Sequence, residues 1–253
     1  AIAVAGHPVA DAAWGASRKA RSLVKLLALA PGRRLTRDQV IEALWPDLDL
    51  DAGVNNFHRT LHAARRALAP AEIALRRQVL TLAPAGCSSD VADFEQAVAA
   101  ARRAPSAEGY EAALARYTGA LLPEDRYEDW AASRREALHG MVLALLRDLA
   151  EIHEARREWA AAIVALERLV AAEPTHEEGH VALMRAQALG GRRREAVQQF
   201  ARLRDILRRE LDAEPDAAAR RLHAAILAGQ FPAVEGGPRE VAGGAGGIIC
   251  PRN

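Results

Sequence analysis

Between residues 51 and 68 the chain reads DAGVNNFHRTLHAARRAL, and Val54, Phe57, Leu61, Ala64 and Leu68 recur there at spacings of 3, 4, 3 and 4. That period lines all five along one stripe of an α-helix and fits no strand. The remaining face carries Asn55, His58, Arg59, His62, Arg65 and Arg66, with no acidic residue between Asn55 and Ala69. Solvated helix faces usually mix signs to gain i,i+4 pairs, so a one-signed face is unusual. A duplex major groove suits these side chains: Arg forks onto guanine edges, Asn pairs with adenine, and His and Arg reach phosphates. A solvated basic face with no ligand gives the same pattern, and the helix taken alone leaves both readings open.

Its neighbours in the chain narrow the choice. AIAVAGHPVA (1–10) reads as a strand pair turning at Gly6-His7, and SRKARSLVKLLALA as a helix over about 17–30, stopped by Pro31-Gly32. Thr36 then caps RDQVIEALWP, with Asp38 in the first turn and Pro46 past the end. After helix 51–68, IALRRQVLTLAP (73–84) alternates around Arg76, Arg77 and Gln78, which predicts a β-hairpin with Arg76-Arg77 at its tip. Helix, helix, helix, hairpin is the order of a winged helix-turn-helix. Arg76 and Arg77 would reach a minor groove or flanking phosphates. Arg18 and Lys19, just after Ser17 at the start of the first helix, are weaker candidates for phosphate.

From residue 90 onward the periodicity is helical throughout, with segments predicted near 90–104, 106–121, 127–155, 158–172, 176–189, 193–212 and 215–229. An internal repeat organises them. ARREWA at 155–160 aligns with GRRREA at 191–196, a spacing of 36, and Ala160 and Val164 match Ala196 and Phe200 in the same register. Each copy runs on to Glu-Pro, at Glu173-Pro174 and Glu214-Pro215. A small residue for close helix approach, a large one for the next groove and a terminating Pro is the logic of a tetratricopeptide unit. Trp14 and Trp45 are expected in the core, and Trp130 and Trp159 between helices. The fold class expected is mainly α: a winged helix-turn-helix domain (1–84), an all-α tetratricopeptide-like domain (88–229), and a Gly/Pro-rich tail or linker (230–253).

Charge follows the same division. Through residue 84 there are 12 Lys and Arg against 7 Asp and Glu; the rest holds 22 against 26. A basic front and a mildly acidic back suit a chain in which only the front meets phosphates. The two cysteines, Cys87 and Cys250, lie far apart without metal-ligand spacing. His153, His176, His180 and His223 do not cluster by spacing, so no metal and no cofactor is expected. The chain holds no phosphate-binding Gly-rich loop ending in Lys-Ser/Thr, no Gly-x-Ser-x-Gly and no His-Glu-x-x-His, so no catalytic residues are assigned and the chain is not expected to be an enzyme. No apolar run reaches the ~18 residues of a membrane span. A cytoplasmic location is expected, and the opening on Ala1 without Met reads as a fragment.

The stretch WGASRKARSLVKLLALAPGRRLTRDQVIEALWPDLDLDAGVNNFHRTLHAARRAL resembles the winged helix of SARP-type activators, itself similar to the OmpR/PhoB output domain. SDVADFEQAVAAARRA, YTGALLPEDRYEDWAASRREAL and LDAEPDAAARRLHAAIL resemble the bacterial transcriptional activator domain (BTAD) that follows it in that family. The resemblance covers about residues 1–229. It implies a sequence-specific activator that binds promoter repeats in tandem on double-stranded DNA, self-associates there and recruits RNA polymerase, in a bacterial nucleoid. On that reading Asn55, His58, Arg59 and His62 approach bases, while Arg65, Arg66, Arg76, Arg77, Lys19 and Arg18 hold phosphates. Two rivals remain at this point: a protein–protein scaffold with a vestigial winged helix, and the regulatory piece of a larger ATPase-containing switch.

Overall fold

A computed structural model of the chain describes residues 3–4, 7–14, 17–83 and 89–231. The expected turn residue Gly6, both cysteines and the tail from 232 onward lie outside the described residues. Packing divides the chain into two compact units, Ala1–Glu173 and Pro174–Asn253.

In the first unit, β1 (Ala3–Val4) pairs antiparallel with β2 (His7–Pro8), which places His7 in the strand rather than in the turn. A 3-10 turn over Asp11–Trp14 leads to α1 (Arg18–Leu29), capped by Ser17 Oγ, which accepts from the Ala20 N–H at 3.2 Å. Next come β3 (Arg34–Thr36), α2 (Arg37–Leu44) and α3 (Leu50–Leu68). The hairpin β4 (Ile73–Arg76) and β5 (Val79–Leu82) follows. These strands form one antiparallel sheet in the order β3-β5-β4. Thr36 closes a full capping box on α2: its hydroxyl accepts from Gln39 N–H and the Gln39 side chain accepts from Thr36 N–H. Leu23, Val24 and Leu27 of α1, Val40 and Leu44 of α2, Phe57, Leu61 and Leu68 of α3, and Ile73, Leu80 and Leu82 of the hairpin make one buried core with Trp14. This is the winged helix-turn-helix. Trp45 packs half-buried against the core, so the two early tryptophans are core residues as expected.

The same unit continues with α4 (Asp90–Arg103), α5 (Ala107–Leu114), α6 (Ala132–Ala155) and α7 (Trp159–Ala172). Two of these are shorter than the periodicity predicts. α5 stops at Leu114 instead of about 121, and Gly119 (φ 140°) and Leu122 (φ 50°) then take backbone conformations no helix allows. α6 starts at Ala132 instead of about 127, because residues 129–131 form a 3-10 turn that lays Trp130 against the winged-helix core. Trp130 Nε1–H donates to Glu128 Oε2 at 2.9 Å. Arg135 braces the turn, donating to the carbonyls of Asp125 (2.8 Å) and Glu128 (3.0 Å). From α1, Lys25 reaches the same loop. Its side chain is 6% exposed, and Nζ donates to Glu124 Oε1 at 3.0 Å and to Asp125 Oδ2.

In the second unit α8 (Glu177–Leu189), α9 (Arg193–Leu211) and α10 (Ala217–Leu227) pack around Leu183, Met184, Ala196, Leu203, Leu207 and Ile226. The tetratricopeptide-like helical class holds, but the two repeat copies do not use matched residues alike. Ala196 is buried and Phe200 half-buried, whereas Ala160 and Val164 are exposed, because α7 turns Ala162, Ile163, Leu166 and Leu169 inward instead.

The histidines are held separately. His153 Nδ1 lies 2.6 Å from Glu158, His176 Nδ1 caps α8 by accepting from Gly179 N–H at 2.9 Å, and His223 stacks on Phe200 at 4.1 Å. His180 is buried at 2% exposure, its Nε2 3.0 Å from the Pro174 carbonyl and its Nδ1 2.7 Å from Gln199 Nε2. An Nε2–H donating to Pro174 and an Nδ1 accepting from Gln199 define a neutral ring. Burial pushes its pKa below the ordinary 6.5. Burial, and then Arg204, shift His223 the same way. Above about pH 6.5 neither folded nor unfolded chain carries these protons; below it the unfolded chain takes them first. Stability is therefore expected to fall from pH 6.5 downward until the folded pKa is reached, by at most about 1.4 kcal/mol per pH unit for the buried His180 and by less for His223, which is more open to solvent. Urea melts between pH 7.5 and 5 check this: His180→Asn should flatten the slope, and an unchanged slope would refute the assignment.

Candidate nucleic-acid interface

The interface is built on α3. Asp49 starts the helix, its Oδ1 accepting from Ala52 N–H at 2.8 Å, and Arg65 and Arg66 fall in the last turn, where cations complement the helix dipole. Phe57, Leu61, Ala64 and Leu68 of the expected stripe are buried, with Gly53, Thr60 and Ala67 beside them; Val54 is half-buried. Burying one side chain like Phe57 contributes roughly 1.5–3 kcal/mol, so the helix cannot rotate its polar face inward. Asn55, His58, Arg59, His62, Arg65 and Arg66 are all exposed. The His58 ring sits edge-on to Phe57, centroids 5.3 Å apart, which ties it to the buried side of the helix.

The wing places its cations nearby in the fold but not quite as the sequence suggested. The tip is Arg77-Gln78, with φ of 48° and 65°, and the exposed Arg76 is the last residue of β4, paired with Val79. Two successive positive φ values make the two-residue turn that matches strand twist. The Arg37 N–H at the start of α2 donates to the Gln78 carbonyl at 2.7 Å, fixing the tip against the helix-turn-helix. At the other end of the wing Arg65 Nε–H donates to the Ile73 carbonyl at 2.8 Å. Arg18 is exposed at the N-terminus of α1, while the half-buried Lys19 lines a groove with Gln39, Glu42, Trp45 and Glu128, an acidic setting.

Sequence reasoning missed two residues that set this geometry. Gly53 is buried at the start of α3, where an added Cβ would lie 2.7 Å from Ile41 Cγ2 of α2. A lone glycine inside a helical pattern was the available signal. Arg37 carries no sequence signal, because its contribution is a backbone N–H, which any residue but proline supplies.

Comparison with known proteins adds three findings. The family described as bacterial transcriptional activator domain matches residues 89–227. The transcriptional regulatory protein MoaR1 of Mycobacterium bovis (strain BCG / Pasteur 1173P2) is 27% identical over 224 residues, covering 83% of this chain and 72% of MoaR1. Among solved structures, Mycobacterium tuberculosis EmbR in complex with a low-affinity phosphopeptide superposes with a TM-score of 0.65 at 24% identity, covering 90% of this chain. The chain spans 62% of EmbR, less than two thirds of its length. That likeness extends over the winged helix and the helical region together.

Proposed function

Because the chain belongs to the bacterial transcriptional activator domain family, a family of transcriptional regulators, we propose that it activates transcription by binding double-stranded DNA through α3. The carrying observation is the exposed, one-signed face of α3 opposite a buried stripe. Asn55, His58, Arg59 and His62 meet base edges in the major groove. Arg66, Arg76 and Arg77 hold phosphates on either side, with Arg18 and Lys19 at the margin. Residues 1–84 form the DNA-binding domain, and residues 88–229 engage RNA polymerase or a second copy of the chain on adjacent repeats.

The test is selection of bound genomic fragments, then gel shifts with salt titration. Arg59→Ala is expected to cost about 1–3 kcal/mol of discrimination if its fork takes a guanine. Each phosphate contact removed is expected to lower the salt slope of log K by about 0.9. Unchanged affinity and unchanged sequence preference in Arg59→Ala would remove α3 from the groove.

A further inference from the structure

The wing of this domain stands on its own strand edge. β4 is the outer strand of the sheet and, among the described residues, pairs only with β5. Counting outward from the two-residue turn, Arg76 opposite Val79 is a hydrogen-bonded pair, Leu75 opposite Leu80 is not, and the alternation continues to Ile73 opposite Leu82, which is not. The Ala83 N–H donating to the Glu72 carbonyl at 3.0 Å, one pair further out, agrees with that phase. The Ile73 carbonyl therefore faces away from β5, along the open edge. Arg65 Nε–H fills it, from the last turn of α3.

We infer that Arg65 is a positioning residue that sets the wing relative to α3, and not one of the phosphate-holding arginines. This rests on the DNA-binding reading above. An extended edge carbonyl bonded by a side chain of the recognition helix makes the hairpin root move with that helix. The second tether, Arg37 N–H to the Gln78 carbonyl, does the same for the tip. Between two fixed points the strand of four residues from Ile73 to Arg76 has no freedom to swing. Arg77 is then carried to one place with respect to the face of α3. With Nε committed along the sheet edge, the side-on Nε–Nη fork of Arg65 is taken, and only its Nη hydrogens are left to donate elsewhere. The partner is a backbone carbonyl, so the sequence of the wing is free to vary while the tether stays.

Two measurements on the whole chain decide it. The first needs no DNA: hydrogen exchange of peptides spanning 72–79. Arg65→Ala is expected to speed exchange there about tenfold, while Arg66→Ala leaves it as in the wild type. The second is a double-mutant cycle on the fragment the wild-type chain selects from sheared genomic DNA. Arg65→Ala and Arg77→Ala should each weaken binding about fivefold, and the double variant should be barely weaker than either, because a wing without its tether no longer delivers Arg77. Additive losses, with the salt slope reduced by about 0.9 by Arg65→Ala in both backgrounds, would make Arg65 an independent phosphate contact and overturn the inference. So would unchanged exchange. A wild-type chain that selects no DNA would defeat the DNA-binding reading alone, and the exchange measurement would still decide whether Arg65 positions the wing.

Discussion

Lys25→Met should destabilise the first unit by about 3 kcal/mol, since removing one partner from a buried ion cluster strands the others. Lys25 is 6% exposed in α1, and its ammonium serves Asp125, 17% exposed, and Glu124, 56% exposed. Without it two adjacent carboxylates remain against an apolar wall, one of them shielded from water. The exposure of Glu124 keeps the cost at the low end of what buried pairs show. With three donors on one nitrogen, the compact ammonium serves both carboxylates at once. One of only two lysines in a chain with 32 arginines occupies this position. Its own backbone N–H, and then the Lys25 hydrogen bond, hold the Glu124 carboxyl below its ordinary 4.5. The contribution of Glu124 is therefore complete above that value and is lost as pH falls through its lowered folded pKa. Urea unfolding at pH 7 measures the effect; a Lys25→Met midpoint equal to the wild type's would show that the cluster carries no weight.

Gly53→Val is the second large effect, about 2–3 kcal/mol from overpacking. The added Cβ would stand 2.7 Å from Ile41 Cγ2, on a β-branched side chain held to one strongly preferred rotamer in its helix. Either α2 and α3 separate or Ile41 leaves its place in the core. Since α3 carries the basic face, separation also re-aims Arg59 and His62. DNA affinity is expected to fall along with thermal stability, and Ile41→Ala in the Gly53→Val background should restore part of both. Loss of stability with no recovery in the double variant would count against this contact as the cause.

How much of this was legible follows from where the information lies. α2 and α3 could be read because a cap and an apolar period are local: Thr36 and the 3-4-3-4 stripe need no knowledge of the rest of the chain, whereas the Asp49 cap, which starts α3 at Leu50, shows only in the structure. β3 was invisible, since three residues cannot show a period, and its pairing with β5 joins Arg34 to Thr81. Lys25 read as part of a helix start-to-stop pattern because its partners lie 99 and 100 residues away. The apolar spacing predicts a longer α5 than the chain forms, because it carries on past Leu114 while the backbone turns at Gly119. Of the candidate site, the exposed face of α3 was legible from the same period that buries its other side. The tip of the wing was shifted by one residue, because Arg77-Gln78 adopts a turn usually marked by Asn-Gly and no glycine is there to mark it. The engagement of Arg65 with Ile73 depends on the phase of a strand edge, which no linear pattern encodes.

Trp130 gives the winged helix a different kind of boundary from the one its sequence suggests. Its indole belongs to the core of residues 14–82, yet it enters from a turn more than forty residues downstream. Anyone building chimaeras from regulators of this kind would cut between the hairpin and α4, and would leave that indole, the Arg135 brace and the two carboxylates of Lys25 behind. The transplantable module is discontinuous: residues 14–83 together with 123–135. A graft that exchanges only the first segment hands the recipient a recognition helix mounted on an unfinished core, and one that exchanges both keeps the mount with the reader.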